Sequence, residues 1–368
     1  MNDIDYMKLA LELAGKGAGH VSPNPLVGAV IVKDGRIIGT GYHERYGGLH
    51  AERNALASCT ESPVDATIYV TLEPCCHQGK QPPCTDAILD SGISRVVVGS
   101  VDPNEKVAGK GIRILKEHGI TVETGILQEE CDKLNEIFFH YIQTGTPFVA
   151  MKYAMTMDGK IATKTGASRW ISGEESRKFT HTLRNRYSAI MVGVQTVIAD
   201  DPLLNCRLEE GRNPIRIICD TNLRTPLDSQ IVKSADKIPT IIATCCNEGQ
   251  KHEPFMNSGC RILTISEKDG RVNLCELMKR LGSEGIDSIL LEGGACMHWS
   301  ALKSGIVKKA FTFIAPKIFG GSLAKSPVEG EGIGNPSEAF LFQNSTVSKI
   351  GNDFLIESEV IPNVHGNY

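Results

Sequence analysis

No block of like charges interrupts the 368 residues, and no apolar run approaches the roughly 18 residues that a membrane span requires. With 39 Lys and Arg against 43 Asp and Glu, the formal charge is −4. That balance disfavours an electrostatic nucleic-acid binder, and no membrane partner is expected. The start, Met1-Asn2-Asp3-Ile4-Asp5, lacks the basic-then-apolar order of a signal peptide, so the cytoplasm is the expected location. Internal repeats and low-complexity segments are also missing. What is present is ordinary for a globular chain: 41% apolar and 22% charged residues, which excludes disorder. Glycine is plentiful at 37, in keeping with many turns and phosphate-cradling loops. At roughly 150 residues per domain, the length predicts two domains.

Cysteine is abundant, at 12 residues. In a reducing compartment a disulfide framework is not expected, which leaves metal binding, catalysis or plain burial. Most cysteines, such as Cys219 and Cys296, stand alone among apolar neighbours and read as buried small side chains. Only Cys75, Cys76 and Cys84 cluster around chemistry.

Periodicity supplies the organisation. Met7, Ala10, Leu11 and Ala14 share one face of an opening helix that Gly15, Gly17 and Gly19 stop. Apolar runs at 27–32 and 36–42 flank Asp34-Gly35, a hairpin signal. Residues 50–57 read as helix, and 67–72 and 93–99 as buried strands in an alternation that lasts to about Thr144. At Gly145-Thr146-Pro147 an amphipathic segment gives way to a new strand, so domains are expected at 1–146 and 147–361, with a frayed tail at 362–368. In the second half Ser172 to Glu175 reads as a capping box opening a helix to about Arg186. Strands are expected at 188–192, 216–220, 240–244, 261–265, 288–291 and 309–316. Both halves are α/β.

His50-Ala51-Glu52 opens a helix, and the strand ending at Leu72 runs into Glu73-Pro74-Cys75 and on to Pro83-Cys84. His50, Cys75 and Cys84 make a three-ligand set. Catalytic zinc keeps three protein ligands and leaves a fourth position to water, whereas structural zinc is closed with four. Cys75 and Cys84 both sit where a helical pattern begins, a position that favours thiolates. Glu52 is spaced to flank the metal and not to ligate it, which suits a proton shuttle. The bland alternative is a structural site that takes Cys76 or His77 as a fourth ligand. His-x-Glu followed by Pro-Cys and a second Cys is the signature of zinc-dependent nucleobase deaminases. Those keep two residues between the cysteines; here there are eight, so the loop must bulge out and return.

The run from Cys75 to Thr85, with Pro23-Asn24-Pro25 and His50-Ala51-Glu52, resembles the bifunctional deaminase-reductase family of riboflavin biosynthesis, to which the stretched cysteine spacing belongs. The resemblance spans nearly the whole chain. It implies a cytidine-deaminase-like three-layer α/β/α domain that binds one zinc. That domain removes an amino group from a diaminopyrimidinone ribosylamine phosphate, with Glu52 as the catalytic proton carrier. By position, Asn24, His43, Ala51, His77 and Lys80 would line the pyrimidine and phosphate pocket. Lys80 beside Gly79 suits a ribose phosphate; otherwise it is a solvated loop lysine.

No Gly-x-Gly-x-x-Gly follows a strand in the second half, so a standard dinucleotide fingerprint is absent. Leu291-Glu292-Gly293-Gly294, together with the segments 151–160 and 193–202, resembles the same family's reductase domain, which implies a dihydrofolate-reductase-like fold and NADPH as cofactor. Taken alone, a strand followed by Gly-Gly and a helix is more often only a tight connection, and Asp158-Gly159 reads also as a plain turn. The resemblance assigns Ala154, Trp170, Thr196, Asp200, Thr221, Gly294, Ala295, Cys296, Met297, His298, Trp299 and Ser300 to NADPH. It assigns Lys152, Ser168, Arg184, Leu204, Arg207 and Glu292 to a substrate whose ribosyl group is reduced to ribityl. Arg184 and Arg207 suit a phosphate, which guanidinium grips in bidentate fashion, but read equally as a helix-surface ion pair and a loop charge. Trp170 reads equally as core and Asp200 as a cap.

The expectation is therefore a bifunctional enzyme acting on a small pyrimidine ribosyl phosphate, assembled as a homo-oligomer. Two rivals remain at this stage: a nucleoside or nucleic-acid deaminase with an unrelated second domain, and a metal-stapled binding module without activity.

Overall fold

The computed structural model describes residues 1–78, 81–104 and 107–362. The chain divides into two compact units, Met1–Gly145 and Thr146–Tyr368. None of the described helices is long and apolar enough to cross a membrane.

The first unit begins with α1 (Asp3–Gly15), whose start is fixed by a reciprocal cap between Asn2 and Asp5. The hairpin of β1 (Gly28–Lys33) and β2 (Arg36–Tyr42) turns at Asp34 and Gly35, with φ of 50° and 74°. Two consecutive left-handed residues match the right-handed twist of the flanking strands. There follow α2 (Ala51–Ala57), β3 (Thr67–Leu72), α3 (Cys84–Ser91), β4 (Arg95–Ser100), α4 (Lys110–Glu117), β5 (Thr121–Thr124), α5 (Gln128–Leu134) and α6 (Glu136–Thr144). The sheet runs β2-β1-β3-β4-β5, antiparallel from β2 to β3 and parallel from β3 to β5.

Strand alternation builds the three layers. Ala29, Ile31, Ile68, Val70, Val96 and Val98 pack against Ala51 and Ala55 of α2, Ile88 of α3 and Leu115 of α4. Their neighbours Val30, Val32, Tyr69 and Val97 face Tyr6, Met7 and Ala10 of α1 and Cys131 of α5. A Cβ on Gly41 would lie 2.6 Å from the Ala51 carbonyl and 2.3 Å from the Ala55 amide nitrogen, so glycine alone lets α2 settle this close to β2. That contact sets the height of His50 and Glu52 at the start of α2.

The second unit contains β6 (Phe148–Thr156), α7 (Glu174–Arg186), β7 (Ala189–Gly193), α8 (Val194–Asp200), β8 (Ile215–Cys219), α9 (Gln230–Lys233), β9 (Thr240–Thr244), α10 (Gly249–Asn257) and β10 (Arg261–Thr264). A small ribbon of β11 (Glu267–Lys268) and β12 (Arg271–Val272) leads to α11 (Leu274–Ser283), β13 (Ser288–Gly293), α12 (Ala295–Lys303), β14 (Val307–Ala315), β15 (Phe342–Ile350) and β16 (Asp353–Val360). The large sheet has the order β10-β9-β8-β7-β13-β6-β14-β16-β15, parallel as far as β14 and closed by the antiparallel hairpin β15-β16. One face packs on α11 and α12, through Leu277, Leu281, Met297 and Ala301; the other packs on Val197, Ile231 and Phe255 of α8, α9 and α10.

Two expectations change here. The capping box at Ser172 is not formed: the N-cap of α7 is Gly173 and no side chain of its own caps the turn. Asp353, far along the chain, instead accepts from the Gly173 N–H and the Ser176 hydroxyl, each at 2.6 Å. The terminal hairpin escaped sequence reading because β15 is exposed on both faces over nearly its whole length and so carries no apolar alternation.

Candidate active site and cofactor pocket

In the first unit His50 is the N-cap of α2, Cys75 lies in the loop leaving β3, and Cys84 is the first residue of α3. The expected bulge in the loop is closed by backbone: the Cys84 and Thr85 amides both donate to the Cys75 carbonyl, at 3.0 and 3.2 Å. This brings both thiol sulfurs to His50 Nδ1, 3.5 Å from Cys75 and 3.4 Å from Cys84. The three ligating atoms lie within 4.8 Å of one another, the only such group among the described residues that includes these cysteines. Two sulfurs and an imidazole nitrogen converging at this spacing fit a zinc ion. Cys76 and the exposed His77 stand outside the trio.

Within the trio the two thiols differ in their electrostatics. The Cys75 thiol is drawn well down by hydrogen bonds from the Cys84 thiol and from His50, while Cys84 is pushed up by the same neighbour and by burial. Glu52, 3% exposed, is pushed up to about 7 by burial and then by Cys75. A buried carboxyl beside the trio, and not one of its three members, is placed to carry protons.

His50, Glu52 and Cys75 open onto a cavity of about 340 Å³ whose walls include Asn24, His43, His77, Asp102, Asn104, Phe138 and Tyr141. Ala51 is fully buried on α2 and does not line it. Lys80 lies outside the described residues. Sequence reading missed Asp102, pushed up to about 6 by burial, and Glu73, whose buried carboxylate accepts the backbone N–H groups of Asp102, Gly109 and Ile112. Glu73 stands two residues before a ligand, the one sequence signal that pointed to it.

In the second unit a pocket of about 300 Å³ is lined by Gly193, Cys219, Thr221, Gly294, Cys296, Met297 and Ser300, with Arg224 and Arg271 among its walls. Gly294, at φ 86°, lets the chain turn from β13 into α12. A Cβ on Gly293 would meet the Thr196 hydroxyl at 2.9 Å, so this turn packs directly on Thr196 of α8. The seven residues 294–300 do not act together. Cys296, expected to be buried, is exposed and faces the pocket with Met297 and Ser300, Ala295 and His298 are buried, and Trp299 packs edge-on against Phe340 at 5.7 Å, beside a different cavity. Neither Ala154 on β6 nor Asp200, the exposed last residue of α8, lines the pocket. Trp170 is 62% exposed, stacked under the Arg177 guanidinium at 4.7 Å, and so is not core.

Arg184 and Glu292 come together as a buried bidentate pair, at 2.7 and 2.8 Å, and the remaining arm of Arg184 donates to the Asn205 carbonyl at 3.0 Å. Of the two readings of Arg184, phosphate fork and helix-surface ion pair, the structure forms an ion pair, buried rather than on the surface: Glu292 occupies the fork, and two buried charges are stable only when paired. Lys152 faces the pair; burial pulls its ammonium down, Glu292 opposes this and Arg184 adds to it. Leu204 is buried at φ 50°, Arg207 Nε donates to Asn205 Oδ1 at 3.3 Å, and Ser168 is half-buried in the loop before α7.

A three-layer deaminase-type domain carrying a His-Cys-Cys trio, followed by a parallel-sheet domain with a helix-start pocket, defines the chain as a deaminase fused to a reductase. Residues 1–100 match the cytidine and deoxycytidylate deaminase zinc-binding region, and 147–356 match the RibD C-terminal domain. The riboflavin biosynthesis protein RibD of Actinobacillus pleuropneumoniae is 52% identical over 98% of this chain and 96% of its own. That of Escherichia coli is 37% identical over 96% and 98%. Among solved structures, a Thermotoga maritima diaminohydroxyphosphoribosylaminopyrimidine deaminase/5-amino-6-(5-phosphoribosylamino)uracil reductase is 40% identical with TM-score 0.85, covering 98% of this chain and 99% of that one. Acinetobacter baumannii RibD has TM-score 0.85 at 33% identity, with the same coverage. The chain belongs to the RibD family, the bifunctional deaminase-reductases of riboflavin biosynthesis.

Proposed function

We propose that residues 1–146 deaminate a diaminopyrimidinone ribosylamine phosphate and that residues 147–361 then reduce its ribosyl group to ribityl with NADPH. The observation that carries the first half is that His50, Cys75 and Glu52 open onto one cavity, with Cys84 completing the trio behind it. His50, Cys75 and Cys84 would hold a zinc ion, which would supply an activated water at the cavity's end. Glu52, buried beside the trio, would take a proton from the attacking water and deliver it to the leaving amino group. Asn24 and His77 hold the pyrimidine against the trio, and Lys80 belongs to the phosphate end.

For the second half, the support is a pocket at the start of α12 with Thr221, Gly294 and Ser300 on its walls and two arginines beside them. Backbone N–H groups at a helix start and guanidinium groups suit a pyrophosphate. NADPH supplies the two reducing electrons. Lys152, Glu292 and Arg184 hold the substrate, with Glu292 keeping Arg184 in place and Arg207 left as the cation available to the phosphate. The resemblance adds Ala154, Trp170, Thr196 and Asp200 to the nucleotide's contacts; of these Thr196 packs on the Gly293-Gly294 turn, while Ala154, Trp170 and Asp200 stand outside the pocket's walls. A cytoplasmic setting is supported by twelve free cysteines, and a homo-oligomer by the exposed outer strand β15.

The test supplies full-length, zinc-loaded protein with the diaminopyrimidine substrate and NADPH, and follows ammonia release and NADPH oxidation separately. Ammonia without nucleotide, then NADPH loss dependent on prior deamination, is expected. Zinc-loaded protein that releases no ammonia overturns the first half; NADH serving as well as NADPH overturns the cofactor choice.

A further inference from the structure

We propose that His43 serves deamination through Asn24: it locks the Asn24 amide with its nitrogen turned away, so that the cavity offers Oδ1 as an acceptor and selects a pyrimidine edge bearing a hydrogen-bond donor. The inference deepens the deaminase reading and rests on it.

His43 is 3% exposed, and both its ring nitrogens have partners. Nδ1 lies 2.9 Å from the Leu49 carbonyl oxygen. A carbonyl only accepts, so Nδ1 carries the proton, and in a neutral imidazole Nε2 is then a bare acceptor. Nε2 lies 3.1 Å from Asn24 Nδ2, which only donates. The two assignments agree, and each alternative brings lone pairs together. Flipping the amide sets Oδ1 against Nε2; shifting the tautomer sets a bare Nδ1 against the Leu49 oxygen. The amide as placed, Nδ2 toward Nε2, is the orientation that the neutral ring with its proton on Nδ1 accepts. The Asn24 backbone is tied as well, its N–H donating to the Val21 carbonyl at 2.8 Å.

Both residues line the cavity that holds the trio, and the His43 ring stands edge-on to His50 with centroids 5.4 Å apart. With its own nitrogens engaged, His43 has no free polar atom for a substrate; what it controls is which end of the Asn24 amide meets one. It is a positioning residue.

A double-mutant cycle on the full-length, zinc-loaded chain tests this, reading KM and kcat of ammonia release, zinc per chain and the rate of the reductase step. His43→Leu is expected to raise KM for deamination about tenfold, the equivalent of one ordinary hydrogen bond, with zinc content and reductase rate unchanged. His43→Gln, whose Oε1 can still accept from Asn24, should recover most of the loss. Asn24→Ala should cost as much as His43→Leu, and the double variant no more than Asn24→Ala alone, because the two act as one unit. Independent losses that multiply in the double variant overturn the proposal, as does loss of zinc in both His43 variants, which would make His43 a support for His50. Failure of the wild-type chain to release ammonia is a separate result, and overturns the deaminase reading beneath it.

Discussion

Glu73→Gln is expected to destabilise the first unit and to impair deamination without touching reduction. The Glu73 side chain is 4% exposed and its carboxylate accepts three backbone N–H groups, from Gly109 at 2.9 Å, Ile112 at 3.2 Å and Asp102 at 3.3 Å. Two of them share Oε2, and the third takes Oε1. A glutamine has one acceptor oxygen: placed at the Oε2 position it leaves its NH₂ against the Ile112 N–H, and the other two bonds lose their charge. Hydrogen bonds to a charged group contribute about 1.5–3 kcal/mol and neutral ones about 1. One lost bond and two weakened ones therefore amount to about 2–4 kcal/mol, or a fall of about 5–15 °C in the melting of a unit this size. The same clamp holds Asp102, Asn104 and Val107 in the cavity wall, so KM for deamination should rise while the reductase rate stays level. Calorimetry of the full-length chain, paired with both assays, reads this. A melting temperature within 1–2 °C of wild type, roughly the equivalent of 0.5 kcal/mol, would refute the clamp.

Metal analysis of single variants should separate the cysteines: Cys84→Ser and Cys75→Ser lose zinc, whereas Cys76→Ser keeps it, and zinc retained by Cys84→Ser would remove that residue from the ligand set. Asp3 receives Arg95 at 2.7 and 3.1 Å and the Tyr69 hydroxyl at 2.6 Å, and the Arg95 bond holds its carboxyl below the usual range. A depressed carboxyl stabilises the fold above the ordinary value of about 3.9 and loses that contribution as pH falls through its folded-state value. Asp3→Asn should thus cost less than about 1 kcal/mol at pH 7, the pair being one-third exposed, and less still in acid; a melting difference that persists undiminished in acid would contradict this.

Local signals carried much of the architecture. Asp34-Gly35 announced its hairpin because both positions need left-handed backbone, and His50, Cys75 and Cys84 announced themselves because a metal demands those residue types. Contacts between distant segments left no such trace. Glu73 bonds to amides 29 to 39 residues further on, and Asp353 caps a helix 180 residues before it. Neither is visible in any window. Arg184 read both as a phosphate ligand and as a helix-surface ion pair because sequence shows an arginine but not the distant glutamate that fills its fork. The division of 294–300 was accessible in principle: Cys296, Met297 and Ser300 share a helical face by spacing, and Trp299 falls outside it.

The central claim, that Glu52 carries protons beside a zinc trio it does not join, is tested most directly by Glu52→Gln. The amide keeps the shape of the side chain but cannot take a proton from water. One preparation of this variant, measured for zinc per chain and for ammonia release, is expected to hold a full complement of zinc and release no ammonia. Zinc lost with the substitution would make Glu52 a ligand, and ammonia released at the wild-type rate would remove it from the chemistry.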